Sequence, residues 1–103
     1  MNILFVCSRN QWRSPSAEAI YKNSQAHNAR SAGTSANARI KINQALIDWA
    51  EIIFVMENKH RQILIQKFNI NQPLIVLDIP DEYQYIDPEL IAMLKTSVEA
   101  YLK

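Results

Sequence analysis

The chain of 103 residues has one cysteine, one glycine and almost no net charge. A single cysteine cannot close an internal disulfide, so this is no disulfide scaffold, and a lone thiol suits a reducing, cytoplasmic setting. A formal charge of +1 excludes the broad electrostatic footprint of a nucleic-acid or membrane-surface binder. No apolar run approaches the length of a membrane span. Met1–Val6 is too short for a secretory signal and lacks its basic start. No cluster of His, Cys, Asp and Glu has metal-ligand spacing, and His27 and His60 stand in polar sequence with no chemistry assigned to them. Repeats, low-complexity tracts and linkers are missing too. What remains is one globular domain over residues 1–103, with 49% hydrophobic and 20% charged residues.

The elements that are present alternate. Ile3–Val6 reads as a buried strand, and a helix follows with Ser14 as N-cap, Pro15 at its first position and helix formers through Ser24. Arg30–Ala32 is a weak second strand ended by Gly33. Ile42–Trp49 reads as a short helix with Ile42, Ala45, Leu46 and Trp49 on one face. The apolar run Ile52–Met56 is a buried strand, Lys59–Phe68 a helix, and Leu74–Leu77 a fourth strand. Asp87-Pro88 opens a last helix whose apolar stripe is Leu90, Leu94, Val98 and Tyr101. Four strands interleaved with helices predict an α/β fold with a parallel sheet and right-handed crossovers.

The chemistry concentrates in Cys7-Ser8-Arg9-Asn10-Gln11-Trp12-Arg13-Ser14-Pro15. A strand that turns straight into a helix puts this loop at the carboxyl edge of the sheet, where open α/β folds bind ligands. Loop and first-turn N–H groups then converge on one point, a ready anion site. A thiolate at Cys7 is stabilised there by the helix N-terminus and by Arg13, six residues on. Arg13 offers a planar fork for two phosphate oxygens. In a first helical turn an arginine opposes the macrodipole, a cost that makes sense if an anion occupies the site. With five arginines in the chain the bare spacing is weak evidence, and the strand before it and the Ser-Pro and helix after it strengthen the reading. Ser14 can cap the helix and donate to the Cys7 sulfur, and Asn10 is the loop residue that most readily takes a left-handed backbone.

On Val6, Cys7, Asn10, Arg13, Ser14 and Pro15 the chain resembles the low molecular weight protein tyrosine phosphatases. Further segments follow in that family's order: Ser31–Thr34, Ile52–Met56 with Asn58, and Ile79–Tyr83. The resemblance implies a three-layer α/β/α fold with strand order 2-1-3-4 and a cysteine-dependent phosphomonoesterase without metal or cofactor. Its nucleophile would be Cys7, its phosphate loop Ser8, Arg9, Asn10, Gln11, Trp12, Arg13 and Ser14, and its substrate a phosphotyrosine protein or small aryl phosphate. The family's acid lies in a D-P-Y segment, which here reads Asp81-Glu82-Tyr83, so Asp81 becomes the general acid and Tyr83 the wall beside the leaving group. Of the other aspartates, Asp48 reads as helix surface, Asp78 as a turn residue and Asp87 as the cap of the last helix. Departures are equally specific. Arg9 replaces a frequent glycine, either adding positive potential at the rim or clashing with a tight turn, and Trp12 replaces a second cysteine. The segment between Gly33-Thr34 and Ala38-Arg39 is short, which predicts an open cleft. Two rivals follow: an arsenate reductase that borrows an external thiol, and a phosphate- or phosphoprotein-binding module without turnover.

Overall fold

A computed structural model describes residues 1–22 and 24–102. Along the chain run β1 (Asn2–Cys7), α1 (Arg13–Tyr21), β2 (Asn28–Gly33), α2 (Gln44–Trp49), β3 (Ile52–Val55), α3 (Asn58–Lys67), β4 (Leu74–Val76) and α4 (Pro88–Glu99). The strands form one parallel sheet in the order β2-β1-β3-β4. Because side chains alternate along a strand, β1 feeds both faces. Ile3, Phe5 and Cys7 join a core with Ala17 and Tyr21 of α1 and Leu90, Leu94 and Val98 of α4. Leu4 and Val6 join the opposite core with Ile47 of α2 and Leu64 of α3. Three layers result, as the resemblance implies. Phe5 is the hub of its face, stacked on Tyr21 with centroids 5.9 Å apart and on Phe54 at 5.6 Å. Among the described residues no helix is long and apolar enough to cross a membrane.

Several boundaries differ from the sequence reading, each for a local reason. Helix α1 starts at Arg13 with Trp12 at the cap position, so Ser14 lies within the first turn and caps nothing. Its hydroxyl is engaged with Cys7 and Asn10 instead. The same helix ends at Tyr21 rather than Ser24, and Asn23 lies outside the described residues. Helix α2 starts at Gln44, because the Asn43 side chain accepts from the Leu46 N–H and sets the cap there. Its buried residue is Ile47, while Ala45 faces out. At the other end of the chain Asp87 caps α4 as expected, accepting from the Glu89 N–H. Tyr101 falls beyond that helix, half exposed, with its ring edge against Phe54 at 5.8 Å. Trp49 packs at the amino edge of the sheet, beneath the Arg30 guanidinium and far along β1 from Cys7.

Candidate active site

The sheet order reverses between β1 and β3, so the crevice at their carboxyl ends is where a ligand fits. Cys7 ends β1 and is almost fully buried. Opposite it in register stands Gly33, and the reason for the only glycine is steric. A Cβ at Gly33 would lie 2.5 Å from the Ser8 carbonyl oxygen and 2.6 Å from the Ala38 Cβ, too close for either to remain in place. The segment after β2 grips the loop through backbone bonds: Thr34 N–H to the Cys7 carbonyl, Ser35 N–H to Ser8, and Arg39 N–H to Arg9.

Asn10 takes the left-handed backbone that its residue type permits, with φ 56°. Its side chain is buried and donates to Ser14 Oγ at 2.9 Å and to Ser31 Oγ at 2.8 Å, and Ser31 in turn donates to Glu18. Since Ser14 Oγ accepts from Asn10, its own hydrogen goes to Cys7 Sγ, 2.9 Å away, or to the more distant Ala32 carbonyl at 3.4 Å. A thiolate there would accept that hydrogen. Arg9 shows no left-handed strain and stands exposed at the rim, so its side chain adds positive potential without distorting the turn.

Arg13 is 2% exposed, a cation sunk among fixed partners. Its Nη1 donates to Glu57 Oε2 at 2.5 Å and to the Ile79 carbonyl at 2.8 Å. With the Nη1 hydrogens so committed, Nε and Nη2 form the free edge of the fork. Asp81 Oδ1 lies 3.6 Å from Nε, and the Asp81 carboxyl is 55% exposed. A cavity of about 330 Å³ is lined by Cys7, Ser8, Arg9, Gln11, Trp12, Arg13 and Asp81. The Cys7 thiol, the Arg13 fork and the Asp81 carboxylate thus face one space. Asn10 and Ser14 lie beneath it as supports. Tyr83 does not line it: this ring packs against the core on the α1–α4 side. The aromatic surface at the rim is Trp12, 42% exposed.

Sequence reasoning missed Glu57 and His60. Glu57 follows the buried strand β3 next to central β1, on the same edge as Cys7, and that placement was the available signal. Burial would raise its carboxyl, but the hydrogen bond and charge of Arg13, helped by Lys59 and His60, hold it below the usual range. His60 is completely buried, accepting from the Glu57 N–H at Nδ1 (3.0 Å) and meeting Ser8 Oγ at Nε2 (2.8 Å). Burial above all, then the nearby Arg13, pushes it down to about 4. Its sequence neighbours, Lys59 and Arg61, had disguised a core residue as a surface one.

Residues 2–51 match the family model described as low molecular weight phosphotyrosine protein phosphatase. A protein-arginine-phosphatase of Bacillus subtilis is 28% identical over 95 residues, a match spanning 66% of this chain and 63% of that protein. The match therefore spans less than two thirds of that relative's length. Among solved structures, a product-state mimic of protein tyrosine phosphatase from Entamoeba histolytica superposes with a TM-score of 0.77 at 20% identity, covering 99% of this chain and 93% of the other. YwlE arginine phosphatase, as a mutant with a phosphorylated active site serine, superposes with a TM-score of 0.75 at 22% identity, covering 100% and 97%. The fold is shared along the whole length.

Proposed function

We propose that the chain is a member of the low molecular weight phosphotyrosine protein phosphatase family, whose model matches residues 2–51, and that it is a cysteine-dependent protein phosphatase working as a single domain in the cytoplasm. The observation that carries this reading is the convergence of Cys7, the free edge of Arg13 and the Asp81 carboxylate on one cavity. The Cys7 thiolate attacks phosphorus in line, forming an S–P bond as the ester P–O bond breaks. Asp81 gives its proton to the leaving oxygen. Nε and Nη2 of Arg13, with the loop N–H groups, hold the equatorial oxygens as charge shifts. Water then attacks the cysteinyl phosphate, Asp81 takes its proton, and the S–P bond breaks to release phosphate and thiolate. No metal or cofactor takes part in these steps.

For the substrate, the reading is an aryl phosphate: phosphotyrosine in a protein, or a small aryl ester. Trp12 rather than Tyr83 supplies the aromatic flank, because it is the ring that reaches the cavity. The curated relative is an arginine phosphatase, so phosphoarginine is the substrate to set against it. Steady phosphate release from phosphotyrosine and phosphoarginine peptides, measured with a chelator present, tests both levels. Turnover of phosphotyrosine above phosphoarginine is expected, and the reverse preference corrects the substrate. No turnover of either, with phosphate still bound, makes the chain a binding module. Turnover of arsenate with an external thiol, and of no phosphoester, makes it a reductase.

A further inference from the structure

Ser8 and His60 form a pair that the steps above do not use. The backbone N–H of Glu57 donates to His60 Nδ1 at 3.0 Å, so that nitrogen carries the lone pair. A hydrogen on Nδ1 would point straight at the Glu57 hydrogen, which excludes both the other tautomer and the doubly protonated ring. The single ring hydrogen therefore sits on Nε2, 2.8 Å from Ser8 Oγ. A hydroxyl that accepts there keeps its own hydrogen for another partner, and Ser8 lines the cavity beside Cys7 and Arg13.

Resting on the phosphatase reading of this cavity, we propose that Ser8 donates its hydroxyl hydrogen to the bound phosphoryl group and that His60 is the positioning residue which leaves that hydrogen free. One residue then aligns two phosphate contacts. The Glu57 carboxylate takes up Nη1 of Arg13 and turns the rest of the fork to the cavity, while the Glu57 backbone selects the His60 tautomer that orients Ser8. The ring is built for a fixed neutral role. It is completely buried, and burial with the Arg13 and Lys59 cations outweighs the opposite pull of the Glu57 and Asp81 carboxylates.

The test is a double-mutant cycle read by inorganic phosphate titration and by kcat/KM for p-nitrophenyl phosphate. Ser8→Ala removes the donor. His60→Asn puts an amide oxygen where Nδ1 stood, keeping the acceptor for the Glu57 N–H, but is too short to reach Ser8. Each single variant should bind phosphate about tenfold more weakly, the order of one charge-assisted hydrogen bond, and the double variant no more weakly than either. Losses that multiply in the double variant, or a Ser8→Ala protein that binds phosphate like the parent, overturn the proposal. If His60→Asn does not fold, nitrogen NMR of the parent decides: a protonated Nε2 and bare Nδ1 support the pairing, and the opposite tautomer overturns it. A parent that binds phosphate in this pattern but never turns over overturns the phosphatase reading and leaves this inference standing.

Discussion

Arg13 shows what a single residue can be made to do by its surroundings. A buried cation survives only with partners, and here they are a carboxylate and a carbonyl on one nitrogen, leaving one edge of the fork open. Lysine would keep the charge and lose that planar edge. Arg13→Lys should lower kcat by about 10²-fold or more, the order expected when a preorganised oxyanion contact is removed. Steady-state kinetics on an aryl phosphate checks it, and near-parental kcat reduces Arg13 to a helix-start residue. Asp81 and Asp87 can be separated at the same scale. Asp87 caps α4 and is held to its N–H groups, whereas Asp81 stands exposed beside Arg13 at the cavity. Asp81→Asn should cost turnover steeply for poor leaving groups and little for activated ones. Asp87→Asn should keep the parental dependence, since asparagine is itself a good cap. A series of aryl phosphates of graded leaving-group acidity decides, and a steeper dependence in Asp87→Asn reverses the assignment.

At the scale of elements, the loop between β1 and α1 is held less by its own sequence than by what packs behind it. The segment after β2 bonds to three successive carbonyls, those of Cys7, Ser8 and Arg9. Gly33 allows that approach. In Gly33→Ala the added methyl meets the Ser8 carbonyl at 2.5 Å, backbone that cannot swing aside as a side chain would. Overpacking of this kind costs about 1–3 kcal/mol. The variant should unfold at lower denaturant and lose most of its phosphate affinity, both measurable on one preparation. A Gly33→Ala protein with parental phosphate binding would mean that the loop does not depend on this contact.

The whole molecule carries a pH signature through His60. Burial, with Arg13 and Lys59, pushes it from 6.5 to about 4, against the opposite pull of Glu57 and Asp81. Between those values the unfolded chain binds a proton that the folded protein refuses, so stability falls as pH falls. The loss accumulates to about 3 kcal/mol by the lower end of the window, at roughly 1.4 kcal/mol per pH unit. Glu57, held below its usual range, adds further loss at the acid end. Urea unfolding in steps from neutral pH to about pH 5 should show the slope in the parent and a flatter one in His60→Asn. Equal slopes would mean that His60 is protonated in the fold.

The order of residues along the chain determined the alternation of strands and helices, because buried strands here are short apolar runs and the turns between them are polar. It also marked the candidate phosphate loop, whose residues are nine in a row, and the left-handed turn at Asn10. The strand order came from resemblance, since local pattern does not say which strand lies beside which. Tertiary structure alone decided the partners that approach from a distance. Glu57 reaches Arg13 across 44 positions and His60 reaches Ser8 across 52, contacts made only because β3 lies beside β1. It likewise withdrew the capping role expected of Ser14 while keeping its contact with Cys7, and left Trp12, not Tyr83, at the cavity. Periodicity tells which side of an element is buried. Which group a side chain then meets is set by the neighbouring strand and by the space left for it.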